Sequence, residues 1–382
     1  MKIAMVGTRG VPAHYGGFET AIEEIGTRLV DRGHDVVVYC RNGEEKPKEY
    51  RGMQLVHLPA LHTKSLETLT HTALSVLHLI TRRRKTNVAF VFNAANAPFL
   101  PFLRLRRVPV AVHVDGLEWK RAKWSGFGAR FYRTVEALSV RWADALIADA
   151  RAIGDYYQQE FGVAATFIAY GAPILRDLDS DKVAELDLKP RQYHLVVARF
   201  EPENKVLEIV RGYTASSAEH PLVVVGSAPY ADEYTAEIQA VADADSRIRL
   251  LGGVWDQDLL NQLYAHALTY LHGHSVGGTN PSLLRAMGAG APVVAFDVNF
   301  NREVLGDVGQ FFSDETQLAA LVLKGEADPV AAGQRGRAVQ SRAEATYDWD
   351  EVADRYEELA ASLHARTSTR GTASGRRQTV ST

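Results

Sequence analysis

Short, nearly continuous apolar runs recur along the chain, each followed by residues at helical spacing. In the first half they lie at 3–6, 35–39, 55–58, 88–92, 108–113 and 145–148. After the first, Phe18, Ile22, Ile25 and Leu29 share one helical face, and 66–80 reads as a long amphipathic helix. Strands apolar on both faces belong to parallel sheets covered by helices on each side. The alternation therefore predicts an α/β fold with a doubly wound parallel sheet. A second set starts near residue 190, with runs at 194–198, 221–225, 248–251, 267–271 and 293–296. Residues 170–191 hold Gly171, Pro173, Pro190 and several aspartates and read as a linker. The expected domains are 1–175 and 176–348, with a terminal helix at 349–365. Residues 366–382, rich in Ser, Thr, Gly and Arg, are expected to be disordered. Two such sheets predict a cleft between their carboxyl edges, where ligands of open α/β sheets bind.

Composition narrows the function classes. At 382 residues, 46% hydrophobic and 23% charged, the chain can fill two cores. A net charge of −3 provides no global field for nucleic acid. One cysteine, Cys40, excludes an intrachain disulfide and a cysteine metal cluster, and it reads as packing at a strand end. Residues 1–7 read as a strand rather than a leader. No apolar run reaches the ~20 residues that span a bilayer. A soluble, cytoplasmic protein is expected. Arg82-Arg83-Arg84-Lys85 and Arg104, Arg106 and Arg107 read either as a solvated face or as a contact for anionic lipid headgroups on the cytoplasmic face of a membrane.

The stretch from Gly277 to Gly290 reads as a glycine-rich turn and a short helix with a marked start and stop. Asn280 is an N-cap type and Pro281 suits the first helical position. Gly288 and Gly290 end the helix. Free amides and the positive end of the helix dipole can receive an anion there, a diphosphate first of all. An ordinary α/β turn fits the same residues.

Other motifs fall where strands end. Gly7 to Thr20, with Thr8, Arg9, His14, Tyr15, Gly16 and Gly17, follows the first run. Its glycine spacing is not the dinucleotide fingerprint, which disfavours a redox cofactor. It serves either as a surface loop or as a close backbone approach to a ligand. His113 to Trp124 places Asp115, Glu118, Trp119 and Lys120 after another run, and Asp115 fits either a helix cap or a carboxylate in the cleft. Arg199 to Lys205 puts two cations after the run at 194–198, free for a leaving diphosphate or paired with Glu201 or Glu203. His272 and His274 face the same way on a strand but lack the carboxylate company of a metal site.

Taken together, these motifs resemble a GT-B-fold glycosyltransferase of family 4, in its bacterial rhamnosyltransferase-like subgroup. The segments that carry the resemblance are GTRGVPAHYGGFET from Gly7, VHVDGLEWK from Val112, RFEPEN from Arg199, HGHSVGGTNPSLLRAMG from His272 and NREVLG from Asn301. It covers about residues 1–365. It implies two Rossmann-like domains facing across a cleft, the first for the acceptor and the second for a nucleotide-sugar, with the terminal helix crossing back to the first. It implies retaining transfer without a metal or other cofactor. The implied donor is dTDP-L-rhamnose and the implied acceptor a lipid-linked sugar or polysaccharide precursor of the cell surface. By the resemblance, Asp115, Arg199 and Lys205 are catalytic. Gly16, Gly17, Val254, Gly278, Thr279, Asn280, Ser282, Leu283 and Arg285 bind the donor, Val254 beneath the nucleobase. Arg9, His14, Tyr15, Glu118, Trp119 and Lys120 lie on the acceptor side. Two positions depart from the family pattern. Asn204 stands where a lysine is usual, with Lys205 next. Arg285 stands where a ribose-binding glutamate is usual, and a guanidinium accepts no hydrogen bond; it is free to reach a phosphate or an acid. Two alternatives share this sequence: a sugar-nucleotide epimerase of the same fold, and a catalytically impaired homologue that binds donor or lipid.

Overall fold

Parallel strands need helical crossovers, and the chain supplies them in strict alternation. The structure is a computed structural model that describes residues 1–13, 17–43, 45–61, 67–82, 85–114, 127–227 and 232–365. It divides into two units.

The first unit comprises Met1–Tyr170 and the chain from Trp349 on. Its strands are β1 (Lys2–Val6), β2 (Asp35–Arg41), β3 (Glu49–Tyr50), β4 (Met53–Leu58), β5 (Val88–Phe92), β6 (Val110–Val114), β7 (Ala145–Ala148) and β8 (Thr166–Phe167). They form one sheet in the order β3-β4-β2-β1-β5-β6-β7-β8, parallel except for β3 against β4. β1, β5, β6 and β7 are buried along their whole length, as two-sided helix cover requires. The helices are α1 (Gly17–Asp31), α2 (Glu67–Thr81), α3 (Leu100–Leu105), α4 (Phe127–Trp142) and α5 (Arg151–Phe161). Cys40 is buried in β2.

The second unit is Gly171–Asp348. It starts earlier than the expected boundary at 175 because residues 172–175 bond into it: the Ala172 amide reaches the Tyr347 carbonyl at 2.7 Å and the Leu175 amide the Gly288 carbonyl at 2.9 Å. Its elements are α6 (Asp181–Glu185), β9 (His194–Val197), α7 (Val206–Thr214), β10 (Leu222–Val225), α8 (Asp232–Ala244), β11 (Ile248–Gly252), α9 (Gln257–His266), β12 (Thr269–His272), α10 (Pro281–Gly288), β13 (Val293–Phe296), α11 (Asn299–Leu305), β14 (Gln310–Phe312), α12 (Glu315–Ala327) and α13 (Pro329–Thr346). The sheet is parallel throughout, in the order β11-β10-β9-β12-β13-β14.

Helix α14 (Trp349–His364) packs in the first unit. Arg28 of α1 pairs with Asp350 at 2.6 Å, Arg32 with Asp354 at 2.7 Å, and His34 with Glu357 at 2.7 Å. Beneath these partly exposed pairs, Tyr356 lies buried with its hydroxyl 2.8 Å from His113 Nδ1. The apolar face of α14 and this buried bond do more for docking than the surface ion pairs, which contribute about 0–1 kcal/mol each.

Candidate functional site

Strand order in the second sheet reverses between β9 and β12, and such a switch point is where open α/β sheets bind ligands. These two strands are parallel neighbours, so the loops after them leave the same edge. One loop carries Arg199 and Lys205; the other leads into α10.

Arg199 is half-buried, and its guanidinium meets no hydrogen-bond or ion-pair partner among the described residues. Lys205 sits in the left-handed region with φ of 50°. Its Nζ lies 3.2 Å from Glu208 and 4.6 Å from the centre of the Phe296 ring. Of the two readings of this loop, pairing of its cations with Glu201 or Glu203 is absent among the described residues.

Gly273 lets the two loops touch, since a Cβ there would stand 2.3 Å from the Asn204 carbonyl oxygen. Across this contact Asn204 does the joining. Its Nδ2 donates to the Arg199 carbonyl at 2.9 Å, which turns its Oδ1 toward His274 Nδ1 at 2.6 Å. His274 Nδ1 must then carry the proton. Its Nε2 faces Gly277, where a Cβ would come within 3.0 Å of it. Gly277 has φ of 131°, a conformation open to glycine alone at little cost. Ser275 adds two bonds to the Glu203 carbonyl, from its amide at 2.8 Å and its hydroxyl at 2.7 Å. Asn301 Nδ2 holds the His274 and Phe296 carbonyls at 2.9 and 2.8 Å. Sequence reasoning missed Asn204, His274 and Asn301 as struts. Two glycines flanking His274 were the available signal.

The start of α10 is as the sequence predicts. Asn280 is extended and accepts the Ser282 amide at 2.8 Å, and Pro281 takes the first position. No acidic residue lies in the first turn, so the positive end of the dipole is uncompensated there. Gly278 is half-buried and Thr279 buried beside it. Ser282 is half-buried, and the Leu283 side chain is fully buried. Leu283 therefore has only its backbone left to face a ligand. Arg285 Nη1 donates to Gln257 Oε1 at 2.9 Å. That partner is a neutral amide, so the ion pair considered from the sequence is absent among the described residues. Val254 lies half-buried between β11 and α9.

His272 is buried at the end of β12, and burial pushes its pKa down to about 3. Its ring lies 5.9 Å from that of His274. No group of three or more His, Cys, Asp or Glu arranged to hold a metal occurs among the described residues.

In the first unit, Gly7 follows β1 with φ of 106°, and a Cβ there would stand 2.3 Å from the Phe92 carbonyl oxygen at the end of β5. These strands flank that sheet's own switch point. Glu19 and Glu23 of α1 accept the amides of Arg9 at 3.1 Å and Ala13 at 2.8 Å, holding the loop while the Arg9 side chain stays exposed. Gly17 begins α1. Thr8 is buried and accepts the Gly10 amide at 3.1 Å. His14, Tyr15, Gly16, Asp115, Glu118, Trp119 and Lys120 lie outside the described residues. His113 is fully buried at the end of β6 among Phe18, Tyr170 and Tyr356, and burial lowers its pKa to about 3.

Comparison with known proteins fits this geometry. Residues 191–327 match a family described as glycosyl transferases group 1. Residues 1–173 match a domain of unknown function, DUF1972. Among solved structures, sucrose-phosphate synthase from Thermosynechococcus elongatus has a TM-score of 0.81 at 19% identity over 96% of this chain and 99% of that one. The fold is GT-B. A GT-B glycosyltransferase is the reading these matches support. HepE from Anabaena, in complex with UDP-glucose, has a TM-score of 0.75 at 17% identity over 95% of this chain and 100% of its own. O-antigen chain mannosyltransferase B from Escherichia coli is 31% identical over 121 residues, 31% of this chain. That match spans 32% of the Escherichia coli enzyme's length. The matches reach neither family 4 nor the rhamnosyltransferase-like subgroup.

Proposed function

We propose that the chain is a retaining, metal-independent glycosyltransferase of a family 4-like, rhamnosyltransferase-like kind. In this reading it moves L-rhamnose from dTDP-L-rhamnose to a lipid-linked or polysaccharide-precursor acceptor in cell-surface polysaccharide synthesis. The observation that carries the reading is the convergence at the β9/β12 switch point of unpartnered Arg199, Lys205 and the uncompensated start of α10. A UDP-glucose complex of a similar fold and an O-antigen mannosyltransferase relative support a nucleotide-sugar donor.

The chemistry follows from charge. The bond between the sugar's anomeric carbon and the β-phosphate oxygen breaks, and negative charge grows on the departing diphosphate. Arg199, Lys205 and the α10 amides stabilise that charge, which fixed donors do well where water is scarce. The acceptor oxygen forms the new bond on the face the phosphate leaves, and its proton passes to the departing phosphate oxygen. Asp115 contacts the transferred sugar or, in the alternative route, takes that proton as base in place of the phosphate. Two cations and a helix terminus take the place of a divalent ion, so chelation by EDTA leaves turnover unchanged.

The test is a panel of nucleotide-sugars incubated with the protein and lipid-linked acceptors, with release of nucleoside diphosphate and product mass as readouts. Product from dTDP-L-rhamnose supports the full reading. Turnover of another donor alone overturns the rhamnose assignment. Conversion of donor into an isomer without acceptor points to an epimerase.

A further inference from the structure

Helix α2 packs Val76 and Leu79 into the core, yet it is unusual on both of its faces. Its fully buried positions include His71, Thr72 and Ser75, whereas Leu74 and Leu77 are 37% and 55% exposed. A helix on a protein surface in water turns its leucines in and its polar side chains out, so the outward Leu74 and Leu77 and the buried His71 are the departures. The neighbouring α3 packs against α2 and repeats the oddity, with Phe102 48% and Leu105 79% exposed. Four large apolar side chains on two touching helices form a patch of the kind that marks an interaction site.

Charge around the patch selects its partner. From residue 68 to residue 114 the chain holds no Asp or Glu and seven Lys or Arg, in a protein of net charge −3. Five of the seven are described, at the ends of α2 and α3. Lys85, Arg106 and Arg107 are exposed, and Arg82 and Arg104 are half-buried. Arg104 donates to the Trp142 carbonyl at 3.3 Å, which brings the end of α3 beside the end of α4, where Arg141 is exposed. Leucine and phenylalanine with arginine and lysine nearby complement a surface that is anionic outside and apolar just beneath; of the adjoining acids, Glu67 at the start of α2 is paired with Arg41 and Asp144 accepts the Val110 amide.

We infer that the α2–α3 face docks on an anionic lipid bilayer, with Leu74, Leu77, Phe102 and Leu105 entering the headgroup–acyl boundary and Lys85, Arg106 and Arg107 against the phosphates. Apolar insertion and basic attraction together make a stable but reversible anchor. No helix among the described residues is long and apolar enough to cross a membrane, so docking is from one side. The inference deepens the proposed lipid-linked acceptor but stands on the surface alone.

Flotation of the full chain with vesicles tests it. The protein should float with mixed phosphatidylglycerol–phosphatidylcholine vesicles, and poorly with phosphatidylcholine alone or in high salt. The L77E/L105E and K85E/R106E pairs should each reduce the bound fraction at least about tenfold, since each basic residue at an anionic surface contributes ~1 kcal/mol. Donor-dependent melting shifts in these variants should match wild type, which separates lost docking from lost folding and from failure of the glycosyltransferase reading. Wild-type protein that stays unbound with phosphatidylglycerol overturns the inference. So does a dimer in sedimentation that L77E/L105E dissolves, because the face then belongs to a second copy.

Discussion

Asn204 Oδ1 and His274 Nδ1 lie 2.6 Å apart, and this bond joins the loop after β9 to the loop before α10. Asn204 also carries the Arg199 carbonyl, so the position of one cation depends on a side chain contacted by the other loop. Asn204 therefore acts as a strut between the two loops.

A double-mutant cycle tests this coupling. Asn204→Ala and His274→Ala should each lower kcat/KM about tenfold, and the double variant should be little worse than either, because residues acting as a unit are non-additive. Independent, multiplying effects would show that the two side chains do not act together.

Gly273→Ala places a methyl where the Asn204 carbonyl oxygen is 2.3 Å away. Backbone must shift, at a cost of about 1–3 kcal/mol. A lower Tm with a still larger fall in activity is expected. A variant with wild-type Tm and turnover would mean the loops do not need this close contact.

Arg285 meets Gln257 through a neutral amide and retains its charge near the α10 helix. If that charge serves this protein's own donor, Arg285→Glu should reduce kcat/KM at least about tenfold, by removing a cation and adding an anion near a diphosphate. Faster turnover in Arg285→Glu would mark the arginine as a lesion in the site.

Four buried histidines predict acid sensitivity, His194 among them with its pKa lowered by burial. Burial lowers the pKa of His113 and His272 to about 3 and of His71 to about 4, below the ordinary 6.5. Below about pH 6.5 the unfolded chain takes up protons that the folded chain refuses, so stability falls as pH falls through that value. The loss continues until the folded values are passed. Between pH 7 and pH 5 ordinary carboxylates stay ionised, so melting curves across that window isolate the effect. Tm should drop steadily, and His113→Gln should flatten the slope whatever its own Tm. An unchanged slope in that variant would mean His113 is protonated in the folded state.

Much of this was legible in the sequence for a physical reason. Strands buried on both faces leave continuous apolar runs, and β1, β5 and β7 lie where those runs fall. Element ends moved by a residue or two: the run at 108–113 became Val110–Val114, and that at 267–271 became Thr269–His272. Hydrogen bonds set such ends, and composition does not report them. The Asn280 cap was readable because its partner, the Ser282 amide, is two residues away. The Asn204–His274 bond spans 70 residues, a tertiary contact with no local signature. The exposure of Leu74 and Leu77 on α2 was hidden likewise, because interspersed Leu, His, Ser and Thr do not say which face packs.

Binding of nucleoside diphosphate against nucleoside monophosphate, in wild type and in Arg199→Ala, tests the diphosphate cradle most directly. Titration calorimetry should give wild type a preference for the diphosphate of at least about tenfold, and Arg199→Ala should lose most of it while keeping its Tm. Equal affinity of wild type for the two nucleotides, or an undiminished preference in folded Arg199→Ala, would contradict a diphosphate site at the β9/β12 switch point.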